Sequence, residues 1–128
     1  MRYFLLLFSL IIILPGCSSP DPLAGTWEPV SALINIRGRM QEITEFSGVK
    51  IIFHSDGRYQ SWDKNQSDEE GSWSRTQTEL TTLTRSILGE DKEEKTNKLK
   101  IEELKDDTLV LSMGDAIFKT VVTYKRIP

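Results

Sequence analysis

The 128-residue chain carries 16 lysines and arginines against 19 aspartates and glutamates, a net charge of −3, with one cysteine and one histidine. That mild acidity argues against nucleic acid or an anionic lipid surface as a main partner, since both demand a concentrated positive field. A lone cysteine excludes an internal disulfide and a lone histidine excludes a histidine-clustered metal site, so apolar packing has to hold the fold.

Arg2 gives a thin positive start, and residues 3–14 are apolar apart from Ser9. Twelve residues are too few for a bilayer span, which takes about 20. They match the apolar region of a secretory signal peptide. Leu14-Pro15-Gly16-Cys17 comes next, where apolar sequence turns polar. These four residues resemble the lipobox read by lipoprotein signal peptidase. The resemblance implies removal of residues 1–16, diacylation of the Cys17 thiol and acylation of its new amino group. Several chains at about 0.8 kcal/mol per buried CH₂ give stable anchoring. Ser18 stands where an aspartate would resemble an inner-membrane retention signal, so the resemblance implies the outer membrane of a Gram-negative envelope, on either face. Residues 17–22, with Pro20 and Pro22, read as a short extended tether. The remaining sequence, 23–128, is the size of one domain with a modest core.

From Leu23 the pattern is alternation and turns. Gly25-Thr26-Trp27 opens the domain, residues 30–36 form an extended run, and Arg37-Gly38-Arg39 reads as a turn. Met40, Ile43 and Phe46 recur at spacing three, compatible with one helical turn or an irregular strand, so residues 37–48 stay open. Residues 49–53 are the clearest strand, rich in β-branched side chains. Ser55-Asp56-Gly57 then turns the chain into residues 58–62. A two-residue loop would pair Phe53 with Gln60. A three-residue loop with Gly57 left-handed pairs Phe53 with Tyr59, and one buried aromatic face favours that register.

Residues 63–70 contain no apolar side chain and read as an exposed loop. Short strands are predicted at 71–75, around Trp73, and at 80–87, with a charged turn over 89–95. Residues 98–104 alternate, with Leu99 and Ile101 on one face. Asp106-Asp107 turns into 108–113, where Leu109, Leu111 and Met113 share a face. Gly114-Asp115 leads into a final strand over 116–126. About eight strands joined by short hairpins predict an all-β fold, a small antiparallel up-and-down barrel, which also removes exposed edges.

The ordered set Gly25-x-Trp27, Phe53-x-x-Asp56-Gly57-x-Tyr59, Gly71-x-Trp73, Asp107-Thr108-Leu109-Val110-Leu111 and Tyr124-Lys125-Arg126 resembles the lipocalin-like (calycin) domain, in the short lipoproteins common in Bacteroidetes. The resemblance covers residues 23–126. It implies a barrel whose closed end is capped by Trp27 packed against Arg126, a sensible cation–π contact.

Chemistry is sparse. His54 has no predicted nucleophile and carboxylate beside it, as hydrolytic triads require. The acidic pairs fall in turns and on polar strand faces, where solvation is the default. Asp63, Asn65, Asp68 and Glu70 lack the spacing of a calcium loop. No phosphate-binding glycine motif occurs. The expectation is therefore a non-enzymatic, membrane-anchored protein with no cofactor and no metal. Its barrel would take a small apolar or amphipathic ligand against Phe53, Tyr59, Trp73, Leu99, Ile101, Leu109 and Leu111. The alternative is a filled structural or protein-interaction barrel acting through its outer surface, with residues 63–70 as the candidate surface. An eight-stranded barrel is just wide enough to be filled or to hold one small ligand, and so short a chain favours mostly filled.

Overall fold

The computed structural model describes residues 21–64, 66–87 and 90–128, with the side chains of 65–68 and 86–93 outside that description. The expected signal peptide, lipobox, Cys17 and most of the tether lie outside the described residues. Nine strands follow in chain order: β1 (Gly25–Ile36), β2 (Arg39–Ile43), β3 (Lys50–Phe53), β4 (Arg58–Asp63), β5 (Gln66–Arg75), β6 (Glu79–Ile87), β7 (Glu90–Lys105), β8 (Thr108–Gly114) and β9 (Phe118–Ile127). Each strand from β3 to β8 pairs antiparallel with the next, and β1 pairs with both β3 and β9. Eight strands thus close an up-and-down barrel, and β2 is an extra strand on the far half of β1.

That extra strand resolves the open segment. β2 and β3 both run antiparallel to β1 along the same edge, with Ala32 opposite Ile43 and Trp27 opposite Ile51. Four residues of β1 lie between those pairs and seven on the other side. The two are one strand interrupted by an excursion, so spacing three over Met40, Ile43 and Phe46 reflects a strand end and a loop. The Arg37-Gly38 turn has both residues at positive φ, and Arg39 already belongs to β2.

The β3–β4 hairpin has the three-residue loop. Phe53 opposes Tyr59, Gly57 sits at φ 93°, and the His54 amide donates to the Arg58 carbonyl at 2.9 Å. The Asp56 carboxylate accepts from the Arg58 backbone amide and its guanidinium. The backbone hydrogen bond, then the guanidinium, holds that carboxyl below its usual range. Trp73 stitches β5 to this turn. Its backbone amide donates to the Gly57 carbonyl and its indole N–H to the His54 carbonyl, both at 2.9 Å.

Three expectations need correction. Residues 63–70 are not a loop: β4 runs to Asp63, Lys64 turns at φ 51°, and β5 is already a strand from Gln66. Likewise β7 is a strand from Glu90, where a charged turn over 89–95 was expected. A ladder held by backbone hydrogen bonds continues without apolar side chains where its inner face is wet, so the absence of alternation did not mean the absence of a strand. The final strand also starts later than the expected residue 116, although the hairpin lies at Gly114-Asp115 as expected. The Asp115 carboxylate accepts from the Ile117 and Phe118 amides at 2.9 and 3.0 Å, and β9 begins at Phe118.

The core gathers at the end where β1 begins. Leu23, Trp27, Phe53, Leu80 and Leu109 are its fully buried side chains, joined by Tyr59, Ile101 and Leu111. Phe53 lies 5.6 Å from Tyr59 and edge-on to Trp73 at 5.5 Å. The Trp27 indole N–H donates to the Leu23 carbonyl at 2.9 Å. Opposite Trp27 in the ladder stands Arg126, its guanidinium carbon 4.3 Å from the indole centroid. The same guanidinium donates to the carbonyls of Ala24 and Pro22. Gly25, at φ 143°, is the residue that lets it through, because a Cβ there would strike the Arg126 side chain.

Register shifts at Pro29/Ser31, Ser61/Trp62, Glu70/Gly71, Thr84/Ser86 and Ile101/Glu103 bend the strands around the axis. At one of these, a Cβ on Gly71 would run into the Leu83 carbonyl.

Truncating the closing tryptophan should therefore be close to unfolding. Trp27→Ala is expected to cost about 3–5 kcal/mol, a large share of the ~5–15 kcal/mol available to a domain. Arg126→Met, which keeps the bulk and loses the hydrogen bonds and cation–π contact, should cost about 1–3 kcal/mol. Urea unfolding measures both, and a Trp27→Ala midpoint equal to wild type would refute the closure.

Candidate functional site

The barrel has two unlike halves. Below, the core just described fills the interior. Above, towards the β1–β2 and β8–β9 hairpins, the interior widens into a cavity of about 360 Å³, near the low end of the ~300–1,000 Å³ typical of small-molecule sites. The expectation of a mostly filled barrel holds for the lower half alone.

Strand alternation sets the lining. Phe53, Tyr59, Leu80 and Leu99 form the floor. On one side Val49, Ile51, Leu111 and Met113 make an apolar wall, with Tyr124 beside them. On the other side Ser61, Glu69, Thr82, Lys95 and Asn97 make a polar wall carried by β4 to β7. Each polar lining residue lies two or four positions along its strand from a floor or core residue: Ser61 from Tyr59, Thr82 from Leu80, Asn97 and Lys95 from Leu99, Glu69 from Trp73. They continue the inward face of the same strands above the level at which the core ends.

Of the residues expected to contact a ligand, Phe53, Tyr59, Leu99 and Leu111 border this cavity. Trp73, Ile101 and Leu109 do not. They belong to the packed layer, where Leu109 is fully buried and Trp73 is held edge-on by Phe53. Trp27 and Arg126 sit at the closed end, below that layer. The apolar alternation pointed to the floor. The polar wall went unread because extending the two-residue period through charged sequence requires knowing that the strands continue there.

Burial pushes the Tyr124 phenol up to about 12. Neither Glu69 nor Lys95 forms an ion pair with another described side chain, although both line the cavity. His54 lies outside, its Nε2 3.0 Å from Gln60 Oε1, away from the cavity lining. Among the described residues, no three His, Cys, Asp or Glu side chains converge as a metal site. Asn65 and Asp68 lie outside the described side chains.

A larger depression, about 530 Å³, runs over the outer wall past Lys98, Lys100 and Lys119. Two of its three ammonium groups are already engaged. Lys100 and Lys119 approach Glu102 at 3.7 and 3.9 Å, and the Ser112 hydroxyl donates to Glu102 at 2.7 Å. The Ser112 hydrogen bond, then the two lysines, holds the Glu102 carboxyl below its usual range.

Comparison of the chain with protein-family models, with curated proteins and with solved structures finds no match.

The buried phenol has a measurable consequence. An unfolded tyrosine titrates near 10, whereas Tyr124 keeps its proton to about 12. Between those values the unfolded chain binds fewer protons than the folded one, so stability falls as pH rises through that window. Urea midpoints from pH 9 to 12 should decline for wild type, and the decline should be shallower for Tyr124→Phe. Equal slopes would place Tyr124 in contact with solvent.

Proposed function

We propose that this chain is a lipid-anchored protein of the cell envelope, of the lipocalin-like kind, that takes a small apolar or amphipathic molecule into the upper half of its barrel without transforming it. One observation carries the reading: the interior is packed tight at one end and opens at the other into a cavity with an apolar wall facing a polar one. A ligand there would bury apolar surface against Ile51, Leu99 and Leu111, at roughly 25 cal/mol per Å². Its polar end would stay near the rim.

The anchor fits this arrangement. The chain reaches the barrel at its closed end, where Asp21 pairs with Arg75 at 2.8 Å and Arg126 grips the Pro22 and Ala24 carbonyls. Cys17 is six residues from the packed Leu23, a reach of at most about 20 Å. Acylation of Cys17 would hold the closed end near the membrane and direct the mouth away from it.

A second reading has its own support. Ile36, Met40, Ile117 and Phe118 are exposed at the tips of the β1–β2 and β8–β9 hairpins, which the Arg37 amide joins by donating to the Ile117 carbonyl at 2.7 Å. Clustered apolar side chains of this kind suit a protein partner acting at the rim.

Two experiments test the leading reading. In cells fed an alkyne-tagged palmitate, wild type should take up label and sediment with membranes, and Cys17→Ser should do neither. Label on the Cys17→Ser chain would reject the anchor. For the cavity, Val49→Trp should leave the fold intact by circular dichroism and abolish the rise in melting temperature that a bound eight-carbon amphiphile gives by mass action. An undiminished rise would move binding elsewhere and favour the rim.

A further inference from the structure

The cavity presents two opposite charges on one wall, neither in an ion pair among the described residues. Glu69 stands on β5 and Lys95 on β7, with β6 between them, and both face the same space as Ile51, Leu111 and Met113. Neither is matched by another described side chain. Thr82 and Asn97 lie on the same wall and add one hydroxyl and one amide. A purely apolar occupant would displace water from these groups and offer no polar partner in return. An anionic amphipath would meet Lys95 and be repelled by Glu69, and a cationic one the reverse.

Building on the ligand-binding reading above, we infer that the site selects a small zwitterionic amphipath. Its apolar body lies against the Ile51–Leu111 wall, its carboxylate is directed to Lys95 and its ammonium to Glu69. Such a molecule satisfies both charges while keeping the apolar burial, and it brings no net charge into the barrel. The chemical class covers acyl-chain betaines and apolar amino acids or very short peptides with both ends free.

Three probes sharing one eight-carbon chain separate the terms: octanoate, octyltrimethylammonium and N-octyl-N,N-dimethylglycine. Each is titrated into the wild-type protein below its micelle concentration and followed by calorimetry. The zwitterion should bind about tenfold tighter than either singly charged probe, since one added charge-assisted contact is worth about 1.5 kcal/mol. Lys95→Met should erase its advantage over octyltrimethylammonium. Glu69→Gln should erase its advantage over octanoate. Both variants line a solvated wall and should keep the wild-type melting temperature, which verifies that they fold.

Binding of all three probes with equal affinity, or a preference for either singly charged one, would overturn the headgroup inference while leaving the cavity reading in place. Failure of every probe to bind wild type would overturn both.

Discussion

The contact on which the rest of the barrel depends is the one between Trp27 and Arg126. They stand opposite each other where the first strand meets the last, so the pair that caps the closed end is also the pair that closes the sheet on itself. Arg126 binds the carbonyl of Ala24, 102 residues away in the chain, fixing the first residues of the domain against its last strand. Gly25 is absent of side chain because that guanidinium crosses it. Loss of the pair would weaken the closed end of the β1–β9 seam, whose opening would expose strand edges to pairing with other chains.

Above this cap the molecule has two regimes. Up to the level of Phe53, Leu80 and Leu109 the strands are held by side-chain packing as well as backbone hydrogen bonds. Beyond it, the ladders of β5, β6 and β7 continue while their described inward positions, Glu69, Lys95 and Asn97, are polar, and an Arg85–Glu94 ion pair at 3.1 Å ties β6 to β7. The chain is too short to fill eight strands to full height with apolar side chains, so the interior ends partway up. The space left over is lined on one side by β3 and β8, still apolar, and on the other by the polar extensions.

That division also explains what the sequence made legible. The all-β class, the meander, the Phe53–Tyr59 register and the left-handed Gly57 could all be argued from alternation and turn chemistry, because one face there is buried and slipping by a residue would expose it. The strand between Gln66 and Glu70 and the first half of β7 could not. Their inward positions, Glu69, Lys95 and Asn97, are polar, so the two-residue period has no apolar marker. These three are most of the polar wall of the candidate site. Of the cavity lining, sequence reasoning named Phe53, Tyr59 and Leu99 of the floor and Leu111 of the apolar wall, and left out the polar wall. It also gave Trp73, Ile101 and Leu109 a ligand role although they pack in the layer beneath the cavity, because alternation identifies a face and says nothing about height along the barrel.

The most direct test of a half-packed barrel that carries a small molecule is native mass spectrometry of the mature protein, gently extracted from its own host's envelope. The account predicts a reproducible adduct of small-molecule mass, released on unfolding and absent from the Val49→Trp variant prepared the same way. A clean unliganded mass for both wild type and variant in repeated preparations would contradict it and shift the working surface to the apolar rim.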